Sequence, residues 1–220
     1  FQKQTNELLH QKEMLLEEMQ HRIVNSLQII ASILLLKARA VTSEETRQHL
    51  QDAHRRVMSV AAVQRHLHIS ANGDLIEIAP YLSKLCDSLA ESMIGDSRPA
   101  TLRVMCDDGK VSSADAVSLG LIVTELVINA LKYAFPEQKA SATVTVRYEV
   151  NGTDWKLSVS DNGVGRKDGE GPPVKGGLGT SLVKALASQL DAKVATQSSA
   201  DGMMVSVAHA TFSARVPEAV

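Results

Sequence analysis

Aromatic residues are scarce in this 220-residue chain, where three Phe, three Tyr and one Trp make up 3% of the sequence. With so few rings to stack on bases, and with 23 basic residues against 25 acidic for a net charge of −2, nucleic-acid binding has little support. Cysteine is nearly absent as well. Cys86 and Cys106 stand apart in apolar surroundings and lack metal-ligand spacing, so they are expected to pack as small hydrophobes in a reducing compartment rather than to pair. No apolar run approaches the roughly 18–20 residues of a bilayer span, and no secretory leader pattern opens the chain. These absences predict a cytoplasmic piece with no membrane segment, compatible with a parent protein anchored upstream. The start at Phe1, inside a polar helix-like stretch, suggests a fragment of a longer protein.

Glycine and proline are missing from Thr5 to Lys37, where Leu9, Leu16, Ile23 and Ile30 recur every seven residues. The pattern predicts a long helix with a coiled-coil-like seam, polar up to about Gln20 and almost wholly apolar from Ile29 to Leu36. Thr42 followed by Glu45 reads as a capping box that opens a second helix, with Leu50, Val57, Val60, Ala61 and Leu67 as its stripe. Ala71-Asn72-Gly73 should end it. Such an antiparallel hairpin cannot bury its stripes alone, so two copies forming a four-helix bundle, a homodimer, are expected.

The character changes past residue 73. A helix is predicted from Ile76 to Ser92, a strand from Thr101 to Cys106, a long buried helix from Ala114 to Tyr133, and a hairpin of 143–148 and 156–160 around Asn151-Gly152. A helix from Thr180 to Leu190 and closing strands at 193–197 and 203–213 complete an α/β sandwich with a mostly antiparallel sheet and helices on one face. The fold class is α+β. The expected division is 1–72 for the helical hairpin, with 1–17 as a coiled-coil lead-in, and 73–220 for the sandwich.

Three segments of the second unit carry chemistry together. Glu125 and Asn129 are four apart, with Lys132 three further, so they share one face of a helix that is otherwise apolar on most sides; a solvated stripe is the plain alternative, but burial there would be costly without a purpose. Asp161 follows a strand and can accept a hydrogen bond from an exocyclic amine, while Gly163 and Gly165 remove side chains where a flat ligand could lie. Taken alone, Asp-x-Gly-x-Gly is often an ordinary turn. Gly176, Gly177 and Gly179 then lead into the helix from Thr180, whose free N–H groups and dipole can receive phosphate. Arg166 to Lys175, polar and containing a Pro-Pro pair, reads as a mobile lid.

Neither a Walker nor a Rossmann pattern is present. The set resembles the nucleotide site shared by histidine kinases, type II topoisomerases, Hsp90 chaperones and mismatch-repair ATPases. That resemblance implies ATP and Mg2+ as cofactors. It assigns the magnesium contact to Asn129, adenine to Asp161, and the phosphates to Gly177, Leu178, Gly179 and Thr180. Lys132 would help neutralise charge, Tyr133 would pack by the base, and Glu125 takes the place of a general base.

The first helix separates the members of that group. Glu18-Met-Gln-His21-Arg22-Ile-Val-Asn25 resembles the acceptor box of the histidine-kinase class with His-Arg-x-x-Asn, and Arg56-Val57-Met-Ser-Val60-Ala61-x-Val63 is similar to its second helix. Thr124 before Glu125, and Trp155-Lys-Leu, place the resemblance in a sister of the class named for His, Trp and Glu. Within the acceptor box, Gln20, Val24 and Ser26 stand where His, Lys and Asn are the pattern.

By that resemblance His21 is the phosphoacceptor, used as a neutral imidazole. Either Glu18 or Glu125 would hold its other nitrogen, and Arg22 and Asn25 would steady the γ-phosphate or the ring. The remaining histidines read as surface residues, and no zinc pattern appears. A response-regulator receiver domain is the implied partner, with Ala31, Ser32, Arg55 and Ser59 as contacts. The competing classes are an ATPase without phosphotransfer, which lacks a His21 hairpin, and a degenerate scaffold, which would not keep Asn129, Asp161 and the glycines.

Overall fold

The structure is a computed structural model, and it describes residues 2–70, 75–95, 99–137, 139, 141–165 and 178–209. Two compact units divide it, Phe1–Ala71 and Asn72–Val220. In the first, α1 (Gln2–Ala40) and α2 (Glu44–Ser70) pack along each other after a three-residue connection. Ala31 and Ala38 of α1 are buried, as are Ala61, Val63 and Leu67 of α2. The helix ends suit the dipole, with Lys37 and Arg39 in the last turn of α1 and Glu44 and Glu45 in the first turn of α2.

One cap differs from the expectation. Ser43, not Thr42, accepts from a backbone N–H three residues on (Thr46 N, 3.3 Å), so the third position is Thr46 and no reciprocal Glu box forms.

The seam read from the sequence faces away from α2. Leu9, Leu16, Ile23 and Ile30 are all exposed, because small residues rather than the heptad line fill the contact with α2. The reading that no apolar run is long enough to cross a bilayer needs correcting on the same ground. Two helices, α1 and α4 (Ser113–Tyr133), contain eighteen-residue windows of mean hydropathy 1.4 and 1.7. The α4 window is 61% buried, as befits a core helix, whereas the α1 window is 11% buried.

In the second unit, β1 (Leu75–Glu77) and β3 (Lys110–Ser112) form a two-stranded antiparallel ladder. The expected helix from Ile76 therefore begins slightly later, as α3 (Ile78–Met93), since Ile76 is paired with Val111. Strands β2 (Thr101–Cys106), β4 (Thr143–Asn151), β5 (Asp154–Asp161), β6 (Ala192–Ser199) and β7 (Gly202–His209) make a sheet of order β2-β4-β5-β7-β6. Among the described residues only the β2–β4 pairing is parallel. The hairpin turn is Gly152-Thr153, one residue on from the Asn-Gly signal, because Asn151 pairs with Asp154 and Gly152 supplies the positive φ of 64°.

Alternation decides which sheet face is covered. Val144, Val146, Tyr148, Leu157, Val159 and Val207 are buried on it, and α3, α4 and α5 (Leu178–Gln189) pack on β2, on β4 and β5, and on β6 respectively. On α3, Ile78, Tyr81, Leu82, Leu85, Cys86 and Leu89 form one buried stripe, and Tyr81 Oη donates to the Ala116 carbonyl of α4 at 3.0 Å. Ser112 caps α4, accepting from Asp115 N at 3.1 Å.

Candidate functional site

Strand β5, central in the sheet, ends at Asp161, whose carboxylate turns back on its own loop. Asp161 Oδ1 accepts from Gly163 N (2.9 Å) and from Met203 N (3.4 Å). Both of these bonds go to Oδ1. Asn162 locks this corner in place: its Oδ1 takes Thr143 N at 2.8 Å, its Nδ2 donates to Ser141 O at 2.8 Å, and its backbone N–H reaches Thr143 O at 3.2 Å. The corner's geometry is thus fixed by side-chain and backbone bonds together.

The glycines here also have a packing reason that the sequence did not suggest. A Cβ on Gly163 would strike the carbonyl and Cβ of Ala134, just past α4, and one on Gly165 would strike the Ser199 carbonyl, with φ already at +56°. A Cβ on Gly202 would meet Asp161's carbonyl. Backbone approaches backbone, and Val164 N bonds Ala134 O at 3.0 Å. Gly163 and Gly165 therefore knit the loop to α4 and to the β6–β7 hairpin.

On α4, Glu125 is buried (4% exposed) beside the buried Thr124, whose Oγ1 bonds Gly120 O at 2.8 Å. Asn129 and Lys132 follow on the same face, half-buried, as the helix emerges towards its C-terminus. Tyr133 is 68% exposed, not packed away, with Lys132 Nζ 5.7 Å from its ring centroid. Gly179 is buried and Thr180 exposed in the first turn of α5; Gly176, Gly177 and the segment from Arg166 to Lys175 lie outside the described residues, as does the side chain of Leu178.

Sequence reasoning missed Met203. It pairs with Asp161 across β5–β7, and the two line a shallow cleft of about 280 Å³ together with Ser198, Ser199 and Asp201. No local signal could have found it, because the hairpin partner of β7 is β6, where Met203 faces Ser198, whereas its pairing with Asp161 joins strands distant in sequence.

In the hairpin unit, His21, Arg22 and Asn25 are exposed on one face of α1. Glu18 is engaged by Arg22, whose Nη2 and Nε reach Oε1 at 2.6 and 3.1 Å. A carboxylate that the sequence reading passed over, Glu17, stands with Oε1 4.0 Å from His21 Nε2. Lower down, His54 is half-buried rather than a plain surface residue, because its Nδ1 lies 2.8 Å from Ala31 O across the helix pair. Ala31 is itself buried against α2 and so cannot be an exposed docking contact, whereas Ser32 is exposed and Arg55 pairs with Asp52.

The chemistry of the donor set fits a nucleotide. An acceptor oxygen at the end of the central strand, an amide oxygen of the kind that binds hard cations, and a cation all belong to one unit of the fold, which also offers a helix N-terminus at Leu178–Thr180.

Comparison with known proteins agrees with this layout. Residues 18–93 match the family model described as histidine kinase, and residues 114–220 match the model described as histidine kinase-, DNA gyrase B- and HSP90-like ATPase. The sensor histidine kinase PdtaS of Mycobacterium tuberculosis is 31% identical over 188 residues, covering 84% of this chain and 37% of that protein. Blue-light-activated histidine kinase 2 of Erythrobacter litoralis is 27% identical over 198 residues, 87% of this chain and 56% of that one. The chain thus spans between about a third and just over half of the length of these curated relatives. Among solved structures, the histidine kinase domain of the Erythrobacter litoralis EL346 blue-light activated histidine kinase has the same fold, with a TM-score of 0.62, 22% identity, and coverage of 84% of this chain and 95% of that one.

Proposed function

This chain belongs to the histidine kinases, and from that premise we propose that it uses ATP to phosphorylate itself on His21 and passes the phosphoryl group to an aspartate of a response-regulator receiver domain. The observation that carries the reading is the order of parts: an exposed His21 on a helical hairpin, followed on the same chain by a sandwich whose Asp161 ends β5 with its loop bonded back to Oδ1. His-Arg-x-x-Asn at residues 21–25 supports assignment to the sister class named above.

The residues divide the work. Asp161 Oδ2 reads the adenine amine, with Met203 beside it, and Tyr133 swings onto the base from its exposed position. Asn129 would hold Mg2+ through its amide oxygen, a hard ligand suited to that ion. Bound ATP supplies the phosphoryl group, and the metal supplies charge neutralisation. Lys132, the N–H groups of Leu178, Gly179 and Thr180, and Gly177 receive the phosphates.

Glu125 polarises His21. Glu18, which Arg22 bonds, is the alternative on α1 itself. Arg22 and Asn25 orient the incoming γ-phosphate.

A homodimer follows from the exposed seam of Leu9, Leu16, Ile23 and Ile30, which a second hairpin would cover in a four-helix bundle. The receiver then docks on the hairpin near Ser32, Arg55 and Ser59. A unit that consumes ATP works on the cytoplasmic side, whatever anchors its parent.

Incubation with γ-labelled ATP should give an acid-labile, base-stable phosphoprotein. His21→Ala should lose the label while still binding nucleotide. Persistent labelling of that variant, or steady phosphate release without labelling of the unchanged chain, would overturn the reading.

A further inference from the structure

Two carboxylates lie about one helical turn before His21, and α1 sends them to different partners. Glu18 and Arg22 are four residues apart and bonded, at 2.6 and 3.1 Å. Glu17 and His21 are also four apart, with Glu17 Oε1 4.0 Å from His21 Nε2 and side chains 57% and 68% exposed. That separation exceeds a hydrogen bond but is well within Coulomb range.

We infer that Glu17 is a positioning residue that restrains the acceptor, an assignment that rests on His21 being the phosphorylated residue. Nε2 is the ring nitrogen farther from the backbone, and so the less hindered one. To bond the γ-phosphorus, it must offer its lone pair while the bond from that phosphorus to the β-phosphate oxygen breaks and the electron pair leaves with ADP. The ring proton must therefore start on Nδ1, and after transfer it leaves Nδ1 by way of the carboxylate that polarises the ring.

A carboxylate beside Nε2 favours the opposite arrangement. It draws the proton to Nε2, which ties up the lone pair, and it sets negative charge where an anionic γ-phosphate must arrive. Arg22, by holding Glu18, keeps the second carboxylate from doing the same. Because the Glu17–His21 pair is exposed, its effect is that of a surface ion pair, about two- to five-fold in rate; Glu17 tunes the acceptor and does not lock it. The box of charge around His21 thus has a facilitating half, Arg22 with Glu18, and a restraining half, Glu17.

The test uses the 220-residue chain with Glu17→Gln and Glu17→Lys. Both should raise the initial rate of His21 labelling at saturating ATP, the first by about two- to five-fold, with the affinity for a fluorescent ATP analogue unchanged. Nitrogen-15 spectra of the His21 ring should shift towards the form protonated on Nδ1. A labelling rate that stays the same or falls overturns the restraint, whatever the ring spectra do. If His21→Ala keeps its label, the acceptor reading itself has failed, and the ring spectra still report separately whether Glu17 faces His21.

Discussion

The role proposed for Asp161 would divide two tasks between its two oxygens, and the division can be tested at a single residue. Asn in its place keeps an oxygen that can accept from Gly163 N and Met203 N, but presents an NH2 donor where the adenine amine needs an acceptor. Asp161→Asn should therefore melt within a few degrees of the unchanged chain and lose ATP affinity by about ten-fold or more, measured by calorimetry, as expected when a buried donor faces a donor. Gly163→Ala should behave the other way. Its methyl would drive into Ala134's backbone, so stability should fall by about 1–3 kcal/mol, with nucleotide affinity lost only to the extent that the unit unfolds. A variant of Gly163 that folds normally but cannot bind ATP would show that the glycine serves the ligand after all.

At the scale of elements, α3, β2 and β4 bury groups that resist ionisation. Burial, then the nearby Cys106, pushes the Cys86 thiol up to about 12. Burial likewise raises Cys106 to about 11 and Tyr148 to about 12. Their ordinary values are 9.0 for the thiols and 10.0 for the phenol. Between the ordinary and the raised values the folded chain holds protons that the unfolded chain has released, so stability falls as pH rises. The loss should begin near pH 9, be absent at neutral pH, and appear as a lower urea midpoint at pH 10.5 than at pH 8. A midpoint that holds steady across that range would contradict the burial of these groups. The start of α4 offers a second test. Ser112→Ala removes the cap on Asp115 N and should cost about 1 kcal/mol, visible as a small drop in melting temperature.

For the whole molecule, the exposed line of Leu9, Leu16, Ile23 and Ile30 is the largest feature that the single chain leaves unexplained. Light scattering should give twice the chain mass. Ile23→Glu with Ile30→Glu should halve it, because charges placed on a buried seam cannot be desolvated cheaply. If the paired substitution leaves the mass unchanged, the seam does not join two copies. The same substitutions leave the sandwich untouched, so nucleotide binding should survive the loss of the dimer.

Periodicity alone was enough to place most of the elements of both units. Seven-residue spacing marked α1, alternation marked β4 and β5, and apolar density marked α4, because each records one repeating geometry in consecutive residues. The candidate site was legible in the same local way wherever a motif is contiguous: His21 with Arg22 and Asn25, Glu125 with Asn129, and Asp161 with its loop. Tertiary structure decided what no single segment encodes. It set Met203 opposite Asp161, filled the space beside Gly163 and Gly165 with the backbone of Ala134 and Ser199, buried Ala31 and joined its carbonyl to His54. It also sorted two neighbouring carboxylates, Glu18 to Arg22 and Glu17 to His21. Partners that are distant in sequence, and competition between adjacent side chains for one donor, are settled only when packing fixes distances.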